Sequence, residues 1–193
     1  ADHIPLYNTY AGFTSGPEDC QQRDAAADAI EKLGCTGVKY NVGGDAEKTI
    51  EYREMLLTWD KQVPESCQLL CECHPGTVLE EPDAAAEFFE DLDPQRFGII
   101  AHLMGNADAL DTWLTTHGER VQHLHLQHRD EESDPTKAPG REKMAACVDV
   151  LKKHQFTGSA SIEFTRGMGR EEQIKTVYAN ALADRSALLE LWR

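Results

Sequence analysis

The sequence predicts an α/β fold of the TIM (β/α)8 type, with about six βα units in a single domain spanning residues 1–193. Three observations lead to this prediction. Strand-like and helix-like segments alternate along the chain, which is typical of a parallel sheet. Four successive strand-like segments end in Glu72, His102, His125 and Glu163. Each is followed by a loop and a helix-like stretch, as in a barrel whose site lies at the C-terminal ends of its strands.

The first third of the chain is interpreted as two βα units. IPLYNTYAGF, at 4–13, predicts a strand, and CQQRDAAADAIEKLG predicts a helix that ends at Gly34. GVKYNVGG, at 37–44, predicts the second strand, in which Lys39 and Asn41 share the inward face. A helix follows over 45–59.

The middle of the chain predicts two further units. QLLCECHPG forms a strand, followed by a helix in PDAAAEFFEDL with Asp83 at its N-cap. RFGIIAHLMG forms the next strand, and the helix after it is capped by Asn106 and extends to Thr116, before Gly118.

The last part of the chain predicts two further βα units. They consist of the strand VQHLHLQ, a polar loop over 128–140, a helix over 141–155, the strand SASIEF and a final helix. That helix is predicted from apolar residues at three- and four-residue spacing, namely Ile174, Val177, Tyr178, Ala181, Leu182, Leu188 and Leu189. A doubly wound open sheet is the competing architecture, but no GxGxxG or GxxxxGK motif follows any strand.

A complete eight-unit barrel typically has about 250 residues. Six units in 193 residues therefore suggest a barrel that lacks two units at one end. Such a barrel is expected to have exposed strand edges or a covering partner, a homo-oligomer included.

Charge and cysteine content narrow the function classes. With 34 acidic and 19 basic residues the net charge is −15, which disfavours nucleic acid and membrane surfaces as partners. No signal-peptide pattern opens the sequence, so its six cysteines are expected to be reduced thiols of a cytoplasmic protein. Cys67, Cys71, Cys73 and His74 resemble a zinc cluster, but strand alternation points Cys71 and Cys73 away from His74.

The four strand-end side chains are candidate ligands of one divalent metal ion: Glu72, His102, His125 and Glu163. Two carboxylates that converge within otherwise apolar strands need a cation or a shared proton between them. Two alternatives stay open. His102 could instead bond a neighbouring side chain and leave three ligands, and His123 could orient a ligand or belong to the core.

The segments CECHPGT, HLHLQH and KKHQFTGSASIEF resemble the xylose isomerase-like TIM barrels. This superfamily of sugar phosphate isomerases and epimerases, with the AP endonuclease 2-type fold, also includes endonuclease IV-type enzymes. Its strands end in Glu-x-His, in Asp, in His-hydrophobic-Lys-Asp and in Glu. Glu72 and His74 match the first pattern, His125 the third and Glu163 the last. The resemblance covers residues 65–165 and depends on the order and spacing of the motifs. It implies that the first two strands of the family barrel are missing from this sequence.

The departures from the family pattern carry chemical information. His102 stands where the family has Asp, which favours manganese, cobalt or zinc over magnesium. Gln127 and His128 stand in place of Lys and Asp. The ketose 3-epimerases of the family use two further Glu residues, where this chain has His74 and Thr165. An endonuclease IV-like hydrolase is disfavoured by the net charge and by too few ligands.

The resemblance and the strand ends together predict a divalent-metal-dependent isomerase, epimerase or dehydratase that acts on a sugar, polyol or keto-sugar through an enediolate. Glu72, His74 and Glu163 are the candidate catalytic residues, with His74 as proton shuttle or as a donor that orients a ligand. Asn41, Arg129 and Arg166 are candidates for substrate binding. The alternative is a degenerate barrel that binds a sugar or a protein partner without turnover.

Overall fold

The structure, a computed structural model, describes residues 5–9, 12–103, 106–128, 131–169 and 173–193. The chain divides into two compact units, Ala1–Ile100 and Ala101–Arg193, and the division falls within the strand Phe97–Leu103. Each unit is built from parallel strands connected by helices.

The first unit contains three complete βα pairs and the start of a fourth strand. In chain order its elements are β1 (Leu6–Asn8), α1 (Pro17–Leu33), β2 (Gly37–Tyr40), α2 (Thr49–Asp60), β3 (Gln68–Glu72), α3 (Pro82–Phe88) and β4 (Phe97–Leu103). A single 3₁₀ turn, Ala46–Lys48, leads into α2. Strand β1 pairs with β2, β2 with β3 and β3 with β4, all in parallel.

The second unit continues the same alternation. Its elements are α4 (Ala107–His117), β5 (Val121–Gln127), α5 (Gly140–Lys153), β6 (Ser159–Phe164) and α6 (Ile174–Trp192). Strands β5 and β6 are parallel. Within the described residues the chain thus has six strands, whose order in the sheet follows the sequence. This confirms the predicted number of βα units.

The end of α1 and the start of α4 follow the sequence signals, whereas α3, predicted over PDAAAEFFEDL, already ends at Phe88. Gly34 adopts the left-handed conformation (φ 64°) that ends α1, and the side chain of Asn106 accepts a hydrogen bond from the backbone N–H of Ala109 at the start of α4. The prediction that Asp83 caps α3 is wrong. Because Pro82 occupies the first helical position, the cap falls on Glu81, and Asp83 lies inside the first turn.

Aromatic side chains form the centre of the first unit. The rings of Phe13, Tyr40 and Trp59 lie with their centroids 5.2 to 6.0 Å apart, mostly edge to face. The indole N–H of Trp59 donates to the backbone carbonyl of Arg23 at 2.9 Å, which joins α2 to α1. The buried indole therefore keeps a hydrogen bond, and Tyr40 of β2 packs against Trp59 of α2.

The side chain of Arg96 holds the loop that follows α2. Its Nε donates to Asp60 Oδ1 at 2.7 Å, and its terminal nitrogens donate to the backbone carbonyls of Val63 (2.9 Å), Pro64 (2.8 Å) and Cys67. One guanidinium thus satisfies several carbonyl groups between α2 and β3, which fixes the point where β3 begins.

The final helix is present where the apolar period predicts it, but much of the periodic face is exposed. Ile174 is 83% exposed, Tyr178 65%, Leu182 46% and Leu189 43%. The buried positions of α6 are Asp184 and Ala187. The spacing therefore predicted the helix correctly without identifying the side that packs within the second unit.

All six cysteines are free thiols, and all except Cys20 are buried. Burial raises the pKa of Cys67 to about 11. A hydrogen bond with Cys71 and burial together raise the pKa of Cys73 well above its ordinary value. No helix in the described part of the chain is both long enough and apolar enough to cross a membrane.

Candidate metal centre

Glu72 ends β3 in the first unit, within a network of three polar side chains of which Glu72 and Lys39 are buried and Asn41 is half-buried. Its Oε2 lies 2.7 Å from Nζ of Lys39, and only 4% and 6% of the two side chains are exposed. Asn41 Nδ2 donates to the same Oε2 at 3.2 Å and to the backbone carbonyl of Glu72 at 2.8 Å. Lys39 Nζ also donates to Asn41 Oδ1 at 3.0 Å. The network fixes the orientation of the carboxylate.

The partner of Glu72 changes the electrostatic argument made from sequence. That argument required a cation or a shared proton between the two converging carboxylates, and the ammonium group of Lys39 supplies a cation to Glu72. The inward direction of Lys39 followed from strand alternation, but the ion pair did not. Lys39 and Glu72 lie two positions apart in the parallel register, since Lys39 pairs with Leu70, so the long lysine side chain extends along the sheet to reach the carboxylate.

Three of the predicted ligands come together in the second unit: His102 on β4, His125 on β5 and Glu163 on β6. Each offers one donor atom, and these atoms lie within 4.8 Å of one another. His125 Nδ1 is 3.3 Å from Glu163 Oε2, and the rings of His102 and His125 have centroids 5.8 Å apart. His125 is buried, whereas His102 and Glu163 are half-buried, so the cluster can be reached from solvent.

A change of register places Glu163 in this cluster. Leu126 pairs with Ile162, but the next residue, Gln127, pairs with Phe164, so Glu163 is the extra residue of a bulge on β6. Bulges re-aim side chains and occur often beside functional sites. Gln127 Nε2 donates to Glu163 Oε2 at 2.6 Å and thereby fixes the carboxylate. Gln127 stands where the family that the sequence resembles has lysine, and here it bonds the candidate ligand Glu163 directly.

His123 supports the cluster from the N-terminal side of His125. Its Nδ1 lies 2.7 Å from Ser159 Oγ, its ring centroid is 5.4 Å from that of His125, and its Nε2 has no hydrogen-bond partner among the described residues. Burial, with a smaller contribution from His125, lowers the pKa of His123 to about 4. The ring is therefore neutral near pH 7, which avoids placing a positive charge beside the candidate ligand His125.

The donor set of the second unit fits a divalent metal ion. Two imidazole nitrogens and one carboxylate oxygen are the ligands preferred by zinc and other borderline metals, and magnesium prefers oxygen alone. Three protein ligands leave coordination positions open for a further ligand or for substrate. Glu163 also lines a cavity of about 300 Å³ between β6 and α6.

The other predicted site residues differ in what surrounds them. His74 is exposed in the turn after β3, with Nδ1 2.7 Å from the carbonyl oxygen of Pro75. Because β3 ends at Glu72, the strand alternation used to predict the direction of His74 does not extend to this residue. Asn41 lines a cavity of about 280 Å³ in the first unit. Arg166 is exposed and lies 3.4 Å from Asn180 Oδ1 on α6. Arg129 lies outside the described residues.

Solved structures of sugar epimerases have the same fold. The chain is similar to 3-keto-D-glucoside 4-epimerase from E. coli, with 14% identity over 98% of this chain and 78% of that one, and a TM-score of 0.65. It is similar to D-psicose 3-epimerase from Clostridium cellulolyticum H10 with D-tagatose, with 13% identity over 97% of this chain and 76% of that one, and a TM-score of 0.63. It is also similar to an L-ribulose 3-epimerase, with 10% identity over 96% of this chain and 75% of that one, and a TM-score of 0.70.

These epimerases are members of the xylose isomerase-like TIM barrel superfamily. The fold of this chain is therefore an incomplete α/β barrel, as the sequence predicts. No family model and no curated protein matches the sequence.

Proposed function

We propose that this protein is a divalent-metal-dependent isomerase or epimerase of a sugar or keto-sugar. The observation that carries the proposal is the convergence of His102, His125 and Glu163, whose donor atoms lie within 4.8 Å of one another. The epimerase fold supports the substrate class, since proteins of this fold that resemble the chain act on ketoses and keto-glucosides. The proposal also covers a dehydratase that acts on the same substrates and begins by removing a proton.

We assign Glu72 as a fourth ligand on the argument made from sequence. It is the Glu of the Glu-x-His pattern at the C-terminal end of a barrel strand, the end at which TIM barrels carry their sites. Lys39 and Asn41 hold its carboxylate in one orientation. With nitrogen ligands in the set, manganese, cobalt or zinc suits the site better than magnesium.

The residues have distinct roles in this proposal. A bound divalent ion supplies Lewis-acid stabilisation of negative charge on substrate oxygens, as in an enediolate. Gln127 fixes the Glu163 carboxylate, and His123 supports His125. His74 takes a proton from the substrate carbon and returns it, because its imidazole is exposed in the turn directly after β3 and an imidazole can both accept and donate a proton. Asn41, Arg129 and Arg166 bind substrate hydroxyls.

A specific observation favours a second candidate, a barrel that binds a sugar or a protein without turnover. The ketose 3-epimerases of the family have a second Glu where this chain has Thr165. Thr165 is buried, and its hydroxyl donates to Asp184 Oδ2 at 2.6 Å. It therefore cannot replace a carboxylate as an acid or base, and one of two proton-transfer groups is missing on that face.

Metal content tests the proposed centre. Protein purified without an affinity tag is loaded with manganese, cobalt or zinc, desalted and measured by elemental analysis. We expect Glu163→Gln to bind one equivalent less than the unsubstituted protein, because it removes one anionic ligand. The control Glu87→Gln makes the same substitution at an exposed position of α3 and is expected to leave the metal content unchanged.

Solvent deuterium incorporation distinguishes turnover from binding. Ketoses and 3-keto-glucosides are incubated with metal-loaded protein in heavy water and followed by NMR. The enzyme proposal expects exchange at the substrate carbon that falls about 10²- to 10⁴-fold in His74→Asn, the usual contribution of a general acid–base group. Metal and sugar binding without exchange would favour the second candidate. Equal metal content in the Glu163→Gln and Glu87→Gln variants would refute the metal centre.

A further inference from the structure

The second unit contains another group of metal-ligating side chains, separate from those assigned above. His128 directly follows β5, Asp134 lies in the loop before α5, and Asp184 is in the middle of α6. Each offers one donor atom, and these atoms lie within 4.8 Å of one another. All three are almost completely buried, with exposures of 2%, 2% and 1%. We refer to them as the buried triad.

The contacts of the buried triad leave its charge incompletely balanced. His128 Nδ1 lies 3.1 and 3.2 Å from the two oxygens of Asp184, and Thr165 donates to Asp184 Oδ2. Asp134 accepts from the backbone and hydroxyl of Thr136. The nearest ammonium group in the described contacts, that of Lys137, is 3.5 Å from Asp134 and belongs to a side chain that is 57% exposed. The two buried carboxylates of Asp134 and Asp184 thus have only the imidazole of His128 and the solvated ammonium group of Lys137 as basic groups beside them among the described contacts.

His128 gives a second, independent observation. Its Nε2 is buried and has no hydrogen-bond partner among the described residues. A buried polar atom without a hydrogen-bond partner is destabilising. Hydrogen bonds among the described residues therefore leave one ring nitrogen of His128 unsatisfied, while the other, Nδ1, faces the carboxylate of Asp184.

The backbone holds Asp134 rigidly in place. A Cβ added at Gly140, the first residue of α5, would lie 2.3 Å from the carbonyl oxygen and 2.5 Å from the nitrogen of Asp134. The loop can therefore approach the helix this closely only because residue 140 is glycine. A preformed ligand position reduces the ordering cost of binding.

We propose that His128, Asp134 and Asp184 bind a second divalent metal ion, with zinc, manganese or cobalt favoured by the one-nitrogen, two-oxygen donor set. The ion joins the end of β5, the loop before α5 and the helix α6, so its role is to stabilise the second unit. It neutralises both buried carboxylates, which the protein groups around them do only in part. This proposal does not depend on the proposed function.

Zinc stoichiometry in four proteins tests the proposal. Each protein is treated with EDTA, reloaded with zinc, desalted and analysed for zinc per chain. We expect two ions in the unsubstituted chain, one in Glu163→Gln, one in Asp184→Asn and none in the double variant. Unchanged zinc in Asp184→Asn would overturn the buried triad alone, whereas unchanged zinc in Glu163→Gln would overturn the proposed centre alone. Asp134→Asn serves as the second variant if Asp184→Asn does not fold.

Two further variants separate a ligand from a hydrogen-bond donor. Thr165→Val removes the hydroxyl that donates to Asp184 but no ligand, so it is expected to retain the second ion. Lys137→Gln removes a competing positive charge, and in the Glu163→Gln background we expect zinc to bind about three- to tenfold more tightly. Competition with a chromophoric chelator measures this affinity. Unchanged or weaker binding in Lys137→Gln would contradict the assignment.

Discussion

The buried ion pair between Lys39 and Glu72 gives a prediction whose size follows from the structure. Replacing Lys39 with methionine removes the ammonium group and leaves the carboxylate buried at 4% exposure. At 2.7 Å and an effective dielectric constant of about 20, the direct attraction is about 6 kcal/mol, and desolvation of both groups offsets part of it. Removing one partner of such a pair typically costs about 3–5 kcal/mol. We expect Lys39→Met to lower the free energy of unfolding by that amount.

Urea denaturation in EDTA, followed by circular dichroism, measures the loss. The double variant Lys39→Met/Glu72→Gln is expected to recover at least half of it, because no buried charge then lacks a partner. Adding manganese should reduce the loss in Lys39→Met selectively if Glu72 is a metal ligand, since the ion replaces the missing cation. A loss below about 1 kcal/mol in EDTA, the range of an exposed pair, would refute the reasoning.

Three other predictions concern packing, helix capping and thiols. Arg96→Met should lower the free energy of unfolding by about 2–4 kcal/mol in urea titration, because carbonyl groups of the loop after α2 lose their donors; an effect under 1 kcal/mol would contradict this. Asn106→Ala should cost about 1 kcal/mol by loss of the cap of α4, whereas Asn106→Asp should cost little. At pH 8 a thiol of pKa about 11, such as Cys67, is thiolate in only about one molecule in a thousand. Ellman's reagent should therefore label Cys20, the one cysteine that is not buried, first, and should label all six thiols only in denaturant.

Strand ends could be predicted because the sequence repeats a short physical pattern. An apolar run that closes on a polar residue places that residue at the C-terminal edge of a parallel sheet, and His102, His125 and Glu163 obey this rule. Gly34 and Asn106 were predictable for the same reason, since each signal lies within one turn of the helix end that it governs. Asp83 failed because Pro82, one residue earlier, already determined where α3 begins.

Features that depend on distant residues could not be predicted in this way. The bulge at Glu163 depends on how β6 pairs with β5, and the alternation of a single strand contains no such information. The buried triad joins residues up to 56 positions apart, and a charged residue on an amphipathic helix, such as Asp184, is usually exposed. His128 was recognised only as a departure from a family pattern. Its contact with Asp184 depends on the three-dimensional fold and could not be predicted from the sequence.

The exposed apolar residues of α6 affect how molecules of this protein meet in solution. With a net charge of −15, copies repel one another at low ionic strength over distances of about 30 Å, the Debye length at 0.01 M salt. In 1 M salt the screening length is about 3 Å, so Ile174, Tyr178 and Leu182 of neighbouring molecules can come into contact. Salt should therefore promote self-association. Concentrated stocks should be kept in dilute buffer, and light scattering against salt concentration is the natural control for every stability measurement.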